Sequence, residues 1–244
     1  MRTLKLTVAY DGSAYHGFQK QPGLVTVQGV LEEVLCKLCG EEVSTAGSGR
    51  TDANVHALEQ TVTLRTNGRI PVKNIVRAAA SLLPADIVVL AAEEMPEGFH
   101  ARFSAKGKRY QYRLVVNEQN SPFLVKYAWQ IRETVDIEAM NKAAEYLLGS
   151  HDFSAFRSSG SVDTDPVRTI YSAKWEAKNG EYVFSIEGDG FLYHMVRNIV
   201  WPLVQVGIGK REPSDFLAEL NSNRTEFLNE PAPPQGLYLA KVFY

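Results

Sequence analysis

One ordering constrains this chain most: strand, helix, strand, helix, strand, then the same order again, with the break at roughly residue 105. Leu4, Leu6, Val8 and Tyr10 alternate with the period of a half-buried strand. Asp11-Gly12-Ser13 ends it as a turn. Apolar residues then recur at helical spacing, so a helix is expected from about Val27 to Cys39, with Thr26 as N-cap and Gly40 as stop. Val62, Leu64 and Thr66 indicate a strand, Val72 to Leu83 a helix halted before Pro84, and Ile87 to Ala91 an apolar strand. Beyond the break, Tyr110, Tyr112, Leu114 and Val116 alternate. Ile137, Met140, Ala144, Leu147 and Leu148 form a helix face ended by Gly149. Asn179-Gly180 is a hairpin signal between Ser172 to Ala177 and Tyr182 to Ile186. A helix from about Tyr193 to Val206 holds Pro202, which should kink it. Pro213 to Leu220 reads as a short helix with Pro in its first turn, and Leu237 to Phe243 as a closing strand.

The pattern predicts an α+β fold of two related halves, 1–105 and 106–244. The halves repeat an element order without repeating a sequence. No linker stands out, which points to halves that share one sheet or pack closely. A chain of 244 residues can bury a substantial core. No apolar run approaches the ~20 residues of a membrane helix. The opening Met1 to Leu6 reads as a strand, without the apolar stretch and cleavage site of a secretory signal. The expected setting is cytoplasmic, with no membrane association.

Two features limit the chemistry. Cys36 and Cys39 are the only cysteines, spaced C-x-x-C. They fall in the last turn of an amphipathic helix, with no second pair, so packing residues are expected rather than a zinc or redox site. The formal net charge of -2 counts mildly against nucleic-acid binding, yet Ala101 to Asn117 holds Arg102, Lys106, Lys108, Arg109 and Arg113 and no acid. Acids gather elsewhere, as at Glu93, Glu94 and Glu97. A near-neutral protein can carry a positive cleft.

The most informative stretch is Gly47-Ser48-Gly49-Arg50-Thr51-Asp52-Ala53-Asn54-Val55-His56-Ala57. Two glycines lead into charged residues and then an apolar strand, the pattern of a tight loop that presents them. An aspartate is ionised at neutral pH unless buried alone, and an Arg partner favours that form. Such a carboxylate can act as nucleophile or base. Spacing alone favours a plainer role, an Asp that caps the loop and pairs with Arg50. A phosphate-binding loop is excluded because Gly-Ser-Gly-Arg lacks the Lys-Ser/Thr ending. Metal ligation is disfavoured because His56 stands alone.

G-R-T-D-A-N-V-H-A resembles the catalytic motif of the tRNA pseudouridine synthase A (TruA) family, commonly G-R-T-D-x-G-V-H-A. Other segments match in order: Tyr10 to Gln19, Thr26 to Gly29, Phe99 to Ser104, Lys108 to Tyr112, His151 to Arg157, Pro166 to Ile170, Phe191 to Asn198 and Pro233 to Leu239. The resemblance spans nearly the whole chain. It implies a pseudouridine synthase fold built on a mainly antiparallel sheet with helices. It implies isomerisation of uridine to pseudouridine at positions 38 to 40 of the tRNA anticodon arm, by a homodimer without metal or other cofactor.

By matching position, the resemblance makes Asp52 the catalytic aspartate, acting at uracil C6, at ribose C1′, or as a base at the sugar. Tyr110 matches the active-site tyrosine, able to stack on a flipped uracil and exchange a proton through its hydroxyl; alternation alone would make it a core residue. Arg197 matches the basic residue expected to pair with the aspartate. Arg50, Arg102, Lys108, Arg109, Arg157 and Arg168 are candidate RNA contacts, with chemistry suited to phosphates, and His56 and His194 candidate lining residues. Three positions depart from the family. Asn54 replaces a usual Gly and is the best non-Gly choice for positive φ. Phe18 replaces a common Trp, and Trp201-Pro202 stands where small or apolar helix residues usually follow. The rival readings are a non-catalytic RNA-binding module with exposed aromatics such as Tyr110 and Tyr112, and a hydrolase that would need a second acid, with Asp11 as the candidate.

Overall fold

The computed structural model describes residues 1–158, 164–178, 180–222 and 231–244. In chain order the elements are β1 (Arg2–Tyr10), α1 (Val27–Cys39), β2 (Thr45–Gly47), β3 (His56–Thr66), α2 (Val72–Ala80), β4 (Ile87–Met95) and β5 (Gly107–Val116). There follow β6 (Trp129–Ile131), α3 (Ile137–Glu145), β7 (Gly149–Asp152), β8 (Val167–Lys178), β9 (Glu181–Gly188), α4 (Met195–Gly207), α5 (Pro213–Ser222) and β10 (Leu237–Phe243). They form two compact units, one of Met1–Lys106 with Tyr238–Tyr244, the other of Gly107–Leu237. The α+β class expected from the element order is what the chain adopts.

In the first unit the strand order is β4-β1-β3-β10, with β2 on β3. β1 pairs antiparallel with β3 and β4, and β10 runs parallel to β3. The alternation of β1 places Leu4, Leu6, Val8 and Tyr10 in the core. Each fully buried Leu or Val contributes about 1.5–3 kcal/mol relative to exposure. Helix α1 has the expected ends: Thr26 Oγ1 accepts from the Gly29 N–H at 3.3 Å, and Gly40 closes it at φ 70°. Cys36 and Cys39 are half-buried free thiols at its end, and Cys36 Sγ receives the Val43 N–H at 3.4 Å.

Two first-unit boundaries differ from expectation. Helix α2 stops at Ala80, because the N–H groups of Leu82 and Leu83 both turn back to the Ala79 carbonyl. Strand β4 continues past Ala91 to Met95. There Glu93 and Glu94 stand opposite Lys5 and Leu4; Lys5 pairs with Glu93 at 3.1 Å and Arg2 with Glu94 at 3.0 Å. Cross-strand charge pairs carry the edge where apolar residues run out.

The second unit has strand order β5-β9-β8-β7, all antiparallel, with β6 parallel to β5. Helix α3 packs on β8, α4 and α5. Phe184 lies on Trp175, and Phe156 on Phe216. β8 and β9 form the expected hairpin, Lys178 opposite Glu181; Asn179 of its turn signal lies outside the described residues. Helix α3 ends at Glu145 rather than Leu148: the last N–H groups tighten to three-residue bonds, and Gly149 at φ 96° starts β7. Helix α4 passes through Pro202 to Gly207, two residues shorter at its start than expected. Among the described residues no helix is long and apolar enough to cross a membrane.

Candidate active site

The Asp52 loop joins β2 to β3 in the first unit and is held by the end of β1 and the turn after it. Gln60, 0% exposed on β3, accepts from Ser48 Oγ at 2.6 Å and donates to the Gly49 carbonyl at 2.9 Å. The Ser48 N–H donates to the Thr61 carbonyl at 2.8 Å. The Tyr10 hydroxyl lies 2.8 Å from Thr51 Oγ1, with the Gln60 side chain nearby. Burial pushes the Tyr10 phenol up to about 12 against the lowering effect of those two neighbours, so it is protonated at neutral pH. Phe18 lies on Tyr10 and donates its N–H to the Thr51 carbonyl at 3.0 Å. Gly17, at φ 85°, lets this segment approach: a Cβ there would come within 2.7 Å of that carbonyl.

Asp52 and Asn54 complete the loop. The Val55 N–H donates to the Asp52 carbonyl at 3.2 Å, with Asn54 at φ 64° between them. The positive φ anticipated for Asn54 is thus present, in the turn geometry that favours Gly or Asn. Asp52 is half-buried and Arg50 exposed. His56 is buried. Its Nδ1 faces both the Gly12 N–H at 3.1 Å and Asp11 Oδ1 at 3.2 Å. Asp11 Oδ1 already accepts from Ser13 N and Oγ, at 2.9 and 2.6 Å, so we assign the Gly12 bond to Nδ1. The imidazole ring stacks on Tyr238 of β10. Asp11 therefore organises its own turn.

Arg102 belongs to the same unit, on a turn pinned to the sheet. The Ala101 N–H donates to Thr63 Oγ1 at 2.7 Å, and Tyr244 Oη donates to the Ala101 carbonyl at 2.8 Å. His100 Nδ1 accepts from the Arg102 and Phe103 N–H groups at 3.1 and 3.4 Å. Phe103 is 78% exposed, with the Arg102 guanidinium 5.8 Å from its ring centre.

The second unit carries the other candidates. Tyr110, on β5, is buried and meets the edge of Phe191 at 5.1 Å. Lys108 shares its face of the strand, whereas Arg109 points to the other and binds Glu187 Oε2 through Nε and Nη2 at 3.0 and 2.7 Å. Arg197, 9% exposed on α4, donates from Nε to the Ala232 carbonyl at 2.6 Å and receives the Ala232 N–H on its own carbonyl at 3.1 Å. Its charge partly opposes the burial that raises Tyr112 well above the usual tyrosine range. Tyr112 donates to the Pro233 carbonyl at 2.7 Å. His194 caps α4 at φ 60° and its Nδ1 lies 3.1 Å from Ser158 Oγ, next to the half-buried Arg157. Arg168 Nη1 donates to the carbonyls of Asp165 and Val167, and its Nε would lie 3.3 Å from a Cβ on Gly190. The segment from Gly190 to Arg197 therefore gathers Tyr110, Arg168, His194 and Arg197 in this unit.

Sequence reasoning overlooked Ser48, Thr51 and Gln60 as supports of the loop, and Phe191 as the neighbour of Tyr110. The available signal was Gln60, which stands in the same alternating row as Val62 and Leu64 of β3. Among the described residues no three His, Cys, Asp or Glu side chains are grouped as a metal site needs.

Comparisons with known proteins bear on the family of the chain. A family model described as tRNA pseudouridine synthase matches residues 6–104 and 143–244. A protein of Thermoanaerobacter sp. (strain X514) named tRNA pseudouridine synthase A is 46% identical over 245 residues, covering 100% of both chains. One of the same name from Acetivibrio thermocellus is 44% identical over the same span and coverage. A crystal structure of a Cbf5-Nop10-Gar1 complex gives a TM-score of 0.37 at 13% identity, covering 82% of this chain and 45% of that one. With the family match running through both units and the relatives aligned end to end, this chain belongs to the tRNA pseudouridine synthase family.

Proposed function

We propose that this chain isomerises uridine to pseudouridine in the anticodon stem-loop of tRNA, at positions 38 to 40, with Asp52 as the reacting carboxylate. The reaction breaks the bond from uracil N1 to ribose C1′, turns the base and joins C5 to C1′. The C5 hydrogen leaves as a proton and N1 gains one, so electrons and atoms balance without a second substrate. A positioned carboxylate is a sufficient nucleophile or base for that sequence.

The observation that carries this reading is the Asp52 turn. A half-buried carboxylate follows an exposed Arg50 in a loop fixed by side-chain and backbone bonds on both sides. Tyr110 offers a ring to a uracil taken out of its stack, and Arg197 supplies the cation for the reaction. Arg50, Arg102, Lys108, Arg109, Arg157 and Arg168 take phosphates, helped by the exposed Phe103. His194 shapes the start of α4 and His56 serves through the turn that it holds. The homodimer and the cytoplasmic setting implied by the family resemblance belong to the same proposal; light scattering at twice 27.2 kDa tests the first.

The test uses tRNA carrying tritium at uracil C5. Isomerisation expels that hydrogen to water, a silent RNA-binding module releases none, and a hydrolase frees uracil. Asp52→Asn is expected to lower release about 100-fold or more while tRNA still binds. Absence of release from every tested tRNA, or full activity in Asp52→Asn, overturns the reading.

A further inference from the structure

We infer that a buried network of Tyr10, Thr51 and Gln60 sets the position of the Asp52 carboxylate, which makes Tyr10 and Gln60 positioning residues for the reaction. The inference rests on the proposal that Asp52 reacts.

Three observations carry it. First, the contacts converge on the loop from both sides of Arg50. Gln60 holds Ser48 and Gly49, and Tyr10 holds the Thr51 hydroxyl while Phe18 holds the Thr51 carbonyl. Thr51 is covalently joined to Asp52, so rotation at this hinge moves the carboxylate directly. Second, the polar groups occupy core positions. Tyr10 continues the apolar row Leu4, Leu6, Val8, and Gln60 stands at full burial between Ala57 and Val62. Apolar side chains would fill that space without any need for partners; fully satisfied buried polar networks instead impose one geometry. Third, the clamp is chemically quiet at neutral pH, because the Tyr10 phenol stays protonated there. Its part is to fix geometry.

Misplacement of a reacting group by about 1 Å can lower a rate about 100-fold. Tyr10→Phe and Thr51→Val are therefore expected to lower kcat by about 10- to 100-fold, with KM for tRNA within about twofold and the shape of the pH–rate profile unchanged. Both remove the same link, so the double variant should be no worse than the poorer single one. Thr51→Ser keeps the hydroxyl and should recover kcat to within about threefold. A residue that merely supported the fold would change the melting temperature and leave kcat per folded molecule alone. Wild-type kcat in folded Tyr10→Phe, or additive losses in the double variant, overturns the inference.

Amide hydrogen exchange supplies a readout independent of turnover. In Tyr10→Phe the amides of residues 48–52 should exchange about tenfold faster, while the β1–β3 ladder at Leu4 and Leu64 keeps its rate. Unchanged loop exchange overturns the clamp even where wild-type protein releases no tritium, and that second failure would fall on the proposed function alone.

Discussion

The Val55 N–H reaches back 3.2 Å to the carbonyl of Asp52, and the residue between them that makes this possible is Asn54 at φ 64°. Asn54→Gly should keep both stability and activity, with a change within about 1 kcal/mol, because Gly enters this region without strain. Asn54→Val should cost about 1–3 kcal/mol, and because the strain sits two residues from Asp52 it should also depress turnover. Urea unfolding and tritium release, measured on the same preparations, check both parts.

Arg197 is anchored by its Nε, an atom that lysine lacks. Arg197→Lys keeps a positive charge but loses the bond to the Ala232 carbonyl. It should destabilise the protein by roughly 1.5–3 kcal/mol, the range for a hydrogen bond to a charged group. The fall should appear as a lower urea midpoint with an unchanged slope. Equal midpoints would show that the segment at Ala232 is held by other means.

Tyr10 gives a defined alkaline response. Unfolded, a tyrosine loses its proton near 10.0, whereas folded Tyr10 keeps it to about 12. Between those values the unfolded chain sheds a proton that the folded one retains, so stability falls as pH rises, by about 2–3 kcal/mol in all. Tyr112, raised in the same direction, adds to the slope. Denaturation curves from about pH 9 to about pH 12 should show this decline, and Tyr10→Phe should make it shallower.

Arg102 and Phe103 should separate two parts of RNA affinity. Arg102→Ala is expected to reduce the dependence of log K on log salt by about 0.7–0.9, the share of one phosphate contact. Phe103→Ala is expected to weaken binding by about 1–3 kcal/mol with the salt slope unchanged, as loss of base stacking would. Filter binding across a salt series distinguishes them. An exposed ring contributes little to folding, so both variants should melt within about 0.5 kcal/mol of wild type in stability terms.

Period and punctuation carried most of the fold. The row Leu4, Leu6, Val8, Tyr10 and the Thr26 and Gly40 ends of α1 were legible because local sequence alone specifies them. The end of α2 and the extent of β4 were not, because they depend on how Leu82 and Leu83 reorient and on Lys5 and Arg2 from another strand. The candidate site divides in the same way. Asp52, Asn54 and the flanking glycines are contiguous, so the loop could be read directly. Its supports, Tyr10 and Gln60, lie 41 residues before Thr51 and 12 after Ser48, and no spacing rule joins them. Tyr110 and Arg197 were named by resemblance; their anchors at Phe191 and Ala232 needed coordinates.

Strand β10 joins β3, and its Tyr238 carries the ring on which His56 stacks, although residues 107–237 come between them and the rest of their unit. During synthesis the ribosome must therefore make those intervening 131 residues before this unit can gain its last strand. At about 5–20 residues per second that is a delay of roughly 7–26 s. For that interval the sheet edge at β3 waits unpaired along β10, and the His56 side of the Asp52 turn lacks its aromatic backing. The Asp52 turn thus gains its aromatic backing only after the whole of the second unit has been made.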